Sequence, residues 1–178
     1  MWNDGSDSEE DDEQAPEAFR KSSVISQHIA FLKDFFKSYK DLDDQHIDTL
    51  EIMVMKLYRL YGVSDDTVSA LPKDQFPIMS DLYDLIDGEY KKYDPYDRPV
   101  YTEETLRELC LSLHSMCRGA ESRYFDGHTN IIDGNFLTFG VKGLLESNEN
   151  FKNAMLFNIL SYMSHLLLTR GHTVASID

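Results

Sequence analysis

Residues 135–178 constrain the fold most, because they place a long apolar helix pattern between two β-prone runs. Phe136–Val141 is short and rich in aromatic and β-branched residues. Apolar residues then recur with helical spacing from Phe151 to Leu168, and the β-prone run Gly171–Asp178 follows and ends on an acid. A strand, a crossover helix and a strand ending in Asp is typical of half of a nucleotide-binding α/β core. We therefore expect a piece excised from a larger protein.

The helix predicted from Phe151 onward is apolar around most of its circumference. Such a helix is buried on more than one side, as on the face of a sheet beneath a helical cap. This pattern predicts nearly complete burial of Leu156, Ile159, Leu160 and Met163. If the chain is cut from a larger core, one side of the helix is instead exposed as an apolar patch where the missing sheet belongs.

Four amphipathic stripes precede this region and predict helices. Capping and helix-ending residues set their boundaries. The first helix starts at Ser22–Ser23 and ends at Tyr39, and the second starts within Asp41–Asp44 and ends at Gly62. The third runs from Ile78 to about Lys92, and the fourth begins at Thr102 and ends near Gly119. The predicted fold class is mainly α, a helical bundle of four to five helices. We also expect a small β element in residues 124–141 and a strand at residues 173–177.

Charge and composition exclude several function classes. The net charge is -15, and residues 1–17 hold eight acids and no base. We expect residues 1–20 to be an acidic disordered segment, either a solvated loop or an interaction tail. No basic stripe indicates direct nucleic-acid binding, and no run of 18 apolar residues predicts a membrane span. Two cysteines make no disulfide framework, so a cytoplasmic protein fits best.

A row of acids on the third predicted helix invites a metal hypothesis. Asp81, Asp84 and Asp87 recur every three residues and would share one outer face. A cation could bind there, but no further ligand set converges in the sequence, so a solvated helix face is the favoured interpretation.

The fourth predicted helix carries a second candidate metal set. Cys110, His114 and Cys117 share a face, and the two cysteines lie two turns apart, about 10.5 Å along the axis. That span excludes a disulfide, and one tetrahedral ion cannot easily collect all three ligands. Buried thiols on a core face are the favoured interpretation.

The chain carries no self-contained catalytic constellation. It has no G-x-x-x-x-G-K-[ST] phosphate loop, no G-x-S-x-G nucleophile motif and no H-E-x-x-H zinc motif. We therefore expect no catalytic residues and no activity from this chain alone.

Two segments resemble a known family. RYFDGHTN at residues 123–130 and NFLTFGVKGL at residues 135–144 are similar to the return segment of conjugative-transfer ATPases of type IV secretion systems, in the TraE/TraC-like group. In that family a helical subdomain is inserted into a RecA-like P-loop core, and the chain returns through a strand and a long helix to the Walker B strand. The resemblance covers residues 20–178.

The resemblance implies a domain division and a parent function. Residues 21–123 would be the helical subdomain and residues 124–178 the return into the RecA-like core, with Asp178 as the Walker B acid that holds Mg²⁺ through water. The parent would use ATP and Mg²⁺. Its partners would be secretion-channel proteins and neighbouring ATPase subunits, at the inner face of the membrane.

Two other hypotheses remain open from the sequence. One is a free-standing helical adaptor that binds a partner protein through aromatic-rich faces. The other is a regulatory module whose acidic tail acts as a pseudo-substrate. A phosphate loop upstream and Glu after Asp178 in the coding frame would favour the ATPase fragment, whereas a stop codon after Asp178 would favour the adaptor.

Overall fold

Helices make up the regular structure of the computed structural model, which describes residues 23–128 and 139–170, with side chains up to residue 165. The α-helices in those ranges are α1 (Val24–Tyr39), α2 (Asp44–Tyr61), α3 (Met79–Lys91), α4 (Glu103–Cys117), α5 (Ser122–Phe125), α6 (Lys142–Leu145) and α7 (Glu149–Arg170). Short 3₁₀ helices at Lys73–Gln75 and Pro95–Asp97 interrupt the two longer connections.

Local capping fixes where the long helices start. The Ser23 hydroxyl accepts a hydrogen bond from the Ser26 N–H at 3.1 Å, and the Asp43 carboxylate accepts one from the His46 N–H at 3.0 Å. Thr102 does the same for the Thr105 N–H at 3.1 Å, at the start of α4. Each cap satisfies an N–H that the first turn of a helix leaves free. These starts confirm the boundaries predicted from the sequence.

Two glycines end helices for different reasons. Gly62 follows α2 with φ +68°, a left-handed conformation that glycine adopts without a steric penalty. Gly119 lies where a Cβ atom would come within 2.8 Å of the Ser115 Cα. A side chain at Gly119 would therefore push the chain off the end of α4.

The first four helices form the bundle. Ion pairs connect neighbouring helices. Lys33 of α1 pairs with Glu51 of α2 at 2.5 Å, and Lys56 of α2 pairs with Glu89 of α3 at 2.7 Å. Helix α3 packs against α4, and α7 packs against α1.

One core lies inside this bundle. Its most deeply buried large side chains, each at most 1% exposed, come from all four helices: Phe36, Tyr39, Ile47, Leu50, Met53, Ile86, Leu106, Leu109, Leu113 and Met116. These positions are the inward stripes of the sequence pattern. Ala154 of α7 is also fully buried in this core. The predicted fold class, a mainly α helical bundle, is confirmed.

The predicted β element is not seen in the described part of residues 124–141. Tyr124 and Phe125 belong to the helical turn α5, and residues 139–141 run without a strand into α6. Their aromatic side chains favour strands intrinsically, but packing against the bundle overrides that preference here. Residues 129–138, and the strand predicted at residues 173–177, lie outside the described residues.

Helix α7 is less buried than predicted. Phe151 is 6% exposed and Ala154 is fully buried, but Leu160 is 50% exposed. Leu156, Ile159 and Met163 are only partly buried. The prediction of nearly complete burial is therefore wrong, because α1 covers only one side of α7; the alternative of an exposed apolar side fits the structure. No helix in the described ranges is long and apolar enough to cross a membrane.

Candidate functional site

An open cleft of about 880 Å³ separates the bundle from the segment that returns to it after α4. We call it the aromatic cleft. One wall consists of α1, α2 and the start of α3, and the other consists of residues 123–128, 139–144 and the first half of α7. Representative lining side chains are Phe31, Phe35, Tyr58 and Met79 on the bundle and Phe125, Phe151, Ile159 and Tyr162 opposite.

A connected series of aromatic rings joins the two walls. The Phe35 ring meets Phe125 edge to face with centroids 5.8 Å apart, and Phe125 meets Phe151 in the same way at 5.5 Å. Further along α1, Phe31 stacks on Phe157 at 5.7 Å. Such pairs contribute about 0.5–1.5 kcal/mol each beyond the area that they bury. The return segment is therefore docked on the bundle mainly by aromatic packing.

Asp126 fastens the return segment to the start of α3. Its Oδ1 accepts a hydrogen bond from the Ser80 N–H at 2.8 Å, and its Oδ2 accepts one from the Ser80 hydroxyl. The Ser80 N–H lies in the first turn of α3, where a carboxylate also benefits from the positive end of the helix dipole. His128 adds a contact between its Nε2 and the Phe76 carbonyl oxygen at 3.0 Å.

Glu121 connects the end of α1, the start of α5 and the start of α7. Its Oε2 accepts a hydrogen bond from the Tyr39 hydroxyl at 2.6 Å, and its Oε1 accepts one from the Asn148 amide at 2.9 Å. Burial opposes ionisation of Glu121, but these hydrogen bonds outweigh it and hold the pKa of its carboxyl below the usual value. Asn148 in turn accepts from the Phe151 N–H at 2.9 Å, so the start of α7 is tied to the end of α1.

Arg123 lies at the rim of the aromatic cleft without a carboxylate partner among the described residues. Its guanidinium carbon sits 4.5 Å from the centroid of the Tyr124 ring, and that ring packs edge to face on Phe151 at 4.9 Å. The guanidinium also donates a hydrogen bond to the Tyr124 hydroxyl, so two contacts hold this cation against the Tyr124 side chain.

His28 lines the aromatic cleft on its bundle wall. Its ring stacks between Phe31 at 5.8 Å and Tyr58 at 6.2 Å. More than a third of the residue is exposed, yet its ring is shielded on both faces, and this burial lowers the pKa of the imidazole. His28 therefore adds polarity to the apolar wall without a fixed charge at neutral pH.

Neither candidate metal set from the sequence forms a metal site. In the described part of the chain, no group of three or more His, Cys, Asp or Glu side chains is placed to hold an ion. Asp81 accepts from the Ile78 N–H at 2.8 Å, Asp84 pairs with Arg118, and Asp87 pairs with Lys91. Each of these carboxylates thus has its own partner.

The favoured interpretation of buried thiols on α4 is confirmed for Cys117, which belongs to the core, whereas Cys110 is only partly buried. Cys117 is 2% exposed, and burial raises the pKa of its thiol to about 12. Burial also raises the pKa of the partly buried Cys110 thiol. The His114 ring instead packs edge to face on Tyr83 at 6.2 Å. Protonated thiols on a packed face are poor metal ligands.

Asp178, the predicted Mg²⁺ ligand, lies outside the described residues, so its role stays a prediction. Sequence reasoning did not identify Glu121, Asp126 or Arg123 as functional, although Arg123 and Asp126 stand within the segment that carries the family resemblance. Asp126 acts through Ser80, 46 residues earlier, and Glu121 acts through Tyr39, 82 residues earlier, and a local sequence pattern does not indicate such distant partners.

Comparison with known proteins supports that resemblance. No family model and no curated protein matches the chain. Among solved structures, VirB4 of Thermoanaerobacter pseudethanolicus matches 82% of this chain at 28% identity with a TM-score of 0.71. The chain has the fold of a type IV secretion ATPase segment. It spans only 52% of the VirB4 chain, about half its length.

The match to VirB4 covers far more than the quoted motifs, since it extends over 82% of the chain. The aromatic rings, Asp126 and Glu121 supply the contacts between the bundle and the return segment in the present chain. Through these contacts the return segment docks on the bundle.

Proposed function

We propose that this chain is the helical subdomain and adjoining core segment of an ATP-hydrolysing motor in a type IV secretion system that transfers DNA or protein by conjugation. The observation that carries the proposal is the likeness to VirB4 over 82% of the chain. The parent protein belongs to the TraE/TraC-like group, binds ATP and Mg²⁺, and works at the cytoplasmic face of the inner membrane. In it, the bundle contacts secretion-channel proteins or neighbouring subunits.

The exposed side of α7 supports this proposal. A helix that leaves Leu160 half exposed and Ile159 and Met163 only partly buried needs another surface to cover it. A RecA-like sheet, entered through Asp178 as the Mg²⁺-binding acid, would cover that side. The helical bundle has its own closed core and would project from the sheet.

Nucleotide turnover tests the proposal. The protein encoded by the full reading frame should hydrolyse ATP, and Asp178→Ala should abolish turnover, because the Walker B acid holds the metal that bridges the phosphates. Asp97→Ala, which removes a carboxylate from the 3₁₀ turn before α4, is the matched control and should leave turnover unchanged. The 178-residue chain alone should not turn over ATP. Turnover by this chain, lost in Asp178→Ala, would contradict the proposal.

A free-standing adaptor is the second candidate, favoured by the closed core of the bundle and the open aromatic cleft of about 880 Å³. The coding frame on either side of this chain separates the two. A phosphate loop upstream together with Glu after Asp178 supports the motor. A stop codon directly after Asp178 supports the adaptor, whose cleft would then bind a partner protein.

A further inference from the structure

We propose that the outer side of the second half of α2, together with the adjoining part of α3, binds an acidic amphipathic helix of a partner protein. We call this surface the outer α2 face, and its members are Ile52, Met55, Lys56, Arg59 and Leu60 of α2, Gly88 in α3 and Lys92 at the end of α3. This inference does not rest on the proposed secretion function.

The second half of α2 is apolar on two sides. Residues 52–61 contain eight apolar or aromatic residues, two bases and no acid. The inner side of this segment belongs to the core of the bundle, whereas Ile52, Met55 and Leu60 are exposed, Leu60 to 68%. These three residues recur at i, i+3 and i+8 and therefore share the outer side of the helix. A second apolar side on a helix that already buries one is typical of a binding surface.

Gly88 lies on the side of α3 that runs beside the outer α2 face. Lys56 of α2 pairs with Glu89 of α3 at 2.7 Å. Asp81 of α3 lies beside Tyr61 of α2, where burial and then this carboxylate raise the pKa of the Tyr61 hydroxyl. Gly88 follows Asp81 by seven residues, which is about two helical turns, so both lie on the side of α3 that meets α2.

Gly88 has no steric explanation within the part of the chain that the structure describes. A Cβ atom at this position would have no other atom within 4 Å, and the φ of Gly88 is not positive. Glycine inside a helix is less stable than alanine, so Gly88 weakens α3 without relieving any close contact. A partner side chain that packs against the bare backbone at Gly88 would account for the glycine.

Charge selects the chemistry of the partner. Although the whole chain has a net charge of -15, three bases lie on this surface. Lys56, and more weakly Lys92, hold the pKa of Glu89 below its usual value against the opposing effect of its burial. Among the described residues, neither Arg59 nor Lys92 forms an ion pair. Acidic side chains at the edge of a partner surface would pair with these two bases.

A helix is the element that fits the outer α2 face. The exposed apolar residues from Ile52 to Leu60 form a row about 12 Å long, which three turns of a second helix would cover. A glycine in the row allows a second helix axis to approach closely. An anionic membrane is the other surface that basic, apolar helix faces bind, but it would be repelled by the net negative charge of this chain.

A designed peptide helix of about 18 residues, with Leu on one face and Glu on the other, tests the proposal. Titration into the 178-residue chain should shift the methyl resonances of Ile52, Met55 and Leu60. Leu60→Ser should weaken peptide affinity about fivefold or more, because an apolar contact is lost. Leu111→Ser is the matched control, since Leu111 of α4 is also 68% exposed, and it should leave the affinity unchanged.

Charge variants test the choice of an acidic partner. Arg59→Glu should weaken binding of the same peptide about tenfold, and added salt should weaken binding to the wild-type chain. A peptide with Lys in place of Glu should bind the outer α2 face more weakly than the acidic peptide. Equal binding of the two peptides at this face would overturn the proposal.

Gly88 separates a binding role from a structural one. Gly88→Ala should raise Tm by about 2–4 °C, because alanine favours the helix and its Cβ meets open space. Gly88→Leu should keep the fold and weaken peptide binding about fivefold, because the larger side chain blocks close approach. A lower Tm in Gly88→Ala would show a steric role within the chain and would contradict the inference.

Four further results would overturn the proposal. These are an absence of methyl shifts on the outer α2 face, unchanged affinity in Leu60→Ser, self-association that Leu60→Ser abolishes, and binding to phosphatidylglycerol vesicles that Leu60→Ser abolishes. The third result would assign the surface to a second copy of the chain, and the fourth would assign it to a membrane.

Discussion

The bundle and α7 differ in how completely their apolar side chains are buried. Leu109 and Leu113 of α4 are fully buried in the core of the bundle. Leu160 of α7 is 50% exposed, although α7 is just as rich in apolar residues. The bundle is thus complete within this chain, whereas α7 is built to be covered by a surface in addition to α1. This difference separates a part that folds on its own contacts from a part that completes a larger body.

The largest effect expected from this comparison concerns the same substitution at a buried and an exposed leucine. Leu109→Ala should lower the free energy of unfolding by about 2–5 kcal/mol, because it leaves a cavity in the closed core. A domain has only about 5–15 kcal/mol in total. Leu160→Ala should cost about 1 kcal/mol or less. Urea denaturation measures both. Equal losses at the two sites would contradict the distinction between bundle and α7.

Asp126 tests how firmly the return segment is held on the bundle. Asp126→Ala should cost about 1–3 kcal/mol, because the Ser80 N–H and hydroxyl lose their acceptor at a partly buried site. Hydrogen exchange should rise in residues 122–128 while the centre of α4 stays protected. Asp94→Ala, which removes the acceptor for the Tyr96 N–H in an exposed turn, is the control and should change exchange only near that turn. Protection that is unchanged in residues 122–128 would show that aromatic packing alone holds the segment.

The stability that Glu121 contributes by linking α1 to α7 should depend on pH. Because the fold lowers the pKa of Glu121, its contribution to stability is complete above its ordinary pKa of 4.5 and is lost as the pH falls below that value. Glu121→Gln should therefore flatten the fall in Tm between about pH 5 and pH 3. Tyr39→Phe should cost about 1 kcal/mol at pH 7, and less at pH 3. An identical acid profile in Glu121→Gln would contradict this role.

The smallest effect on stability is expected at the uncovered side of α7. Leu160→Glu should change the free energy of unfolding by roughly 0.5–1 kcal/mol or less, since the side chain is half in water. The same change should reduce self-association of the chain in light scattering, because it breaks the apolar patch. Leu111→Glu, at an isolated exposed leucine of α4, should leave association unchanged. Equal scattering in wild type and Leu160→Glu would mean that this side does not drive association.

Helix boundaries could be predicted from the sequence because their causes are local. Ser23, Asp43 and Thr102 cap helices, and Gly62 ends one, through contacts within a few residues. The aromatic cleft could not be predicted, because it needs Phe35 to meet a residue 90 positions later. Periodicity indicates which residues are apolar and on which face, but not what covers them.

The burial of Leu160 was predicted wrongly for that reason. The sequence pattern of α7 shows which positions are apolar, but the surface that would cover them is not in the described part of this chain.

The metal hypotheses are a related case. Acids and thiols at regular helical spacing look alike whether they bind an ion, pair with basic side chains or pack in a core. Only the partners of Asp84, Asp87 and Cys117 decide among these.

The hydrogen bonds between Ser80 and Asp126 also have a kinetic consequence. They join residues 46 positions apart and so close a loop that contains most of α3 and all of α4 and α5. Pairing of α3 with α4 involves nearer neighbours in sequence and forms at a lower entropic cost than this closure. Asp126 should therefore engage Ser80 after the folding barrier has been crossed. Loss of that carboxylate should then accelerate unfolding and leave the rate of folding nearly unchanged.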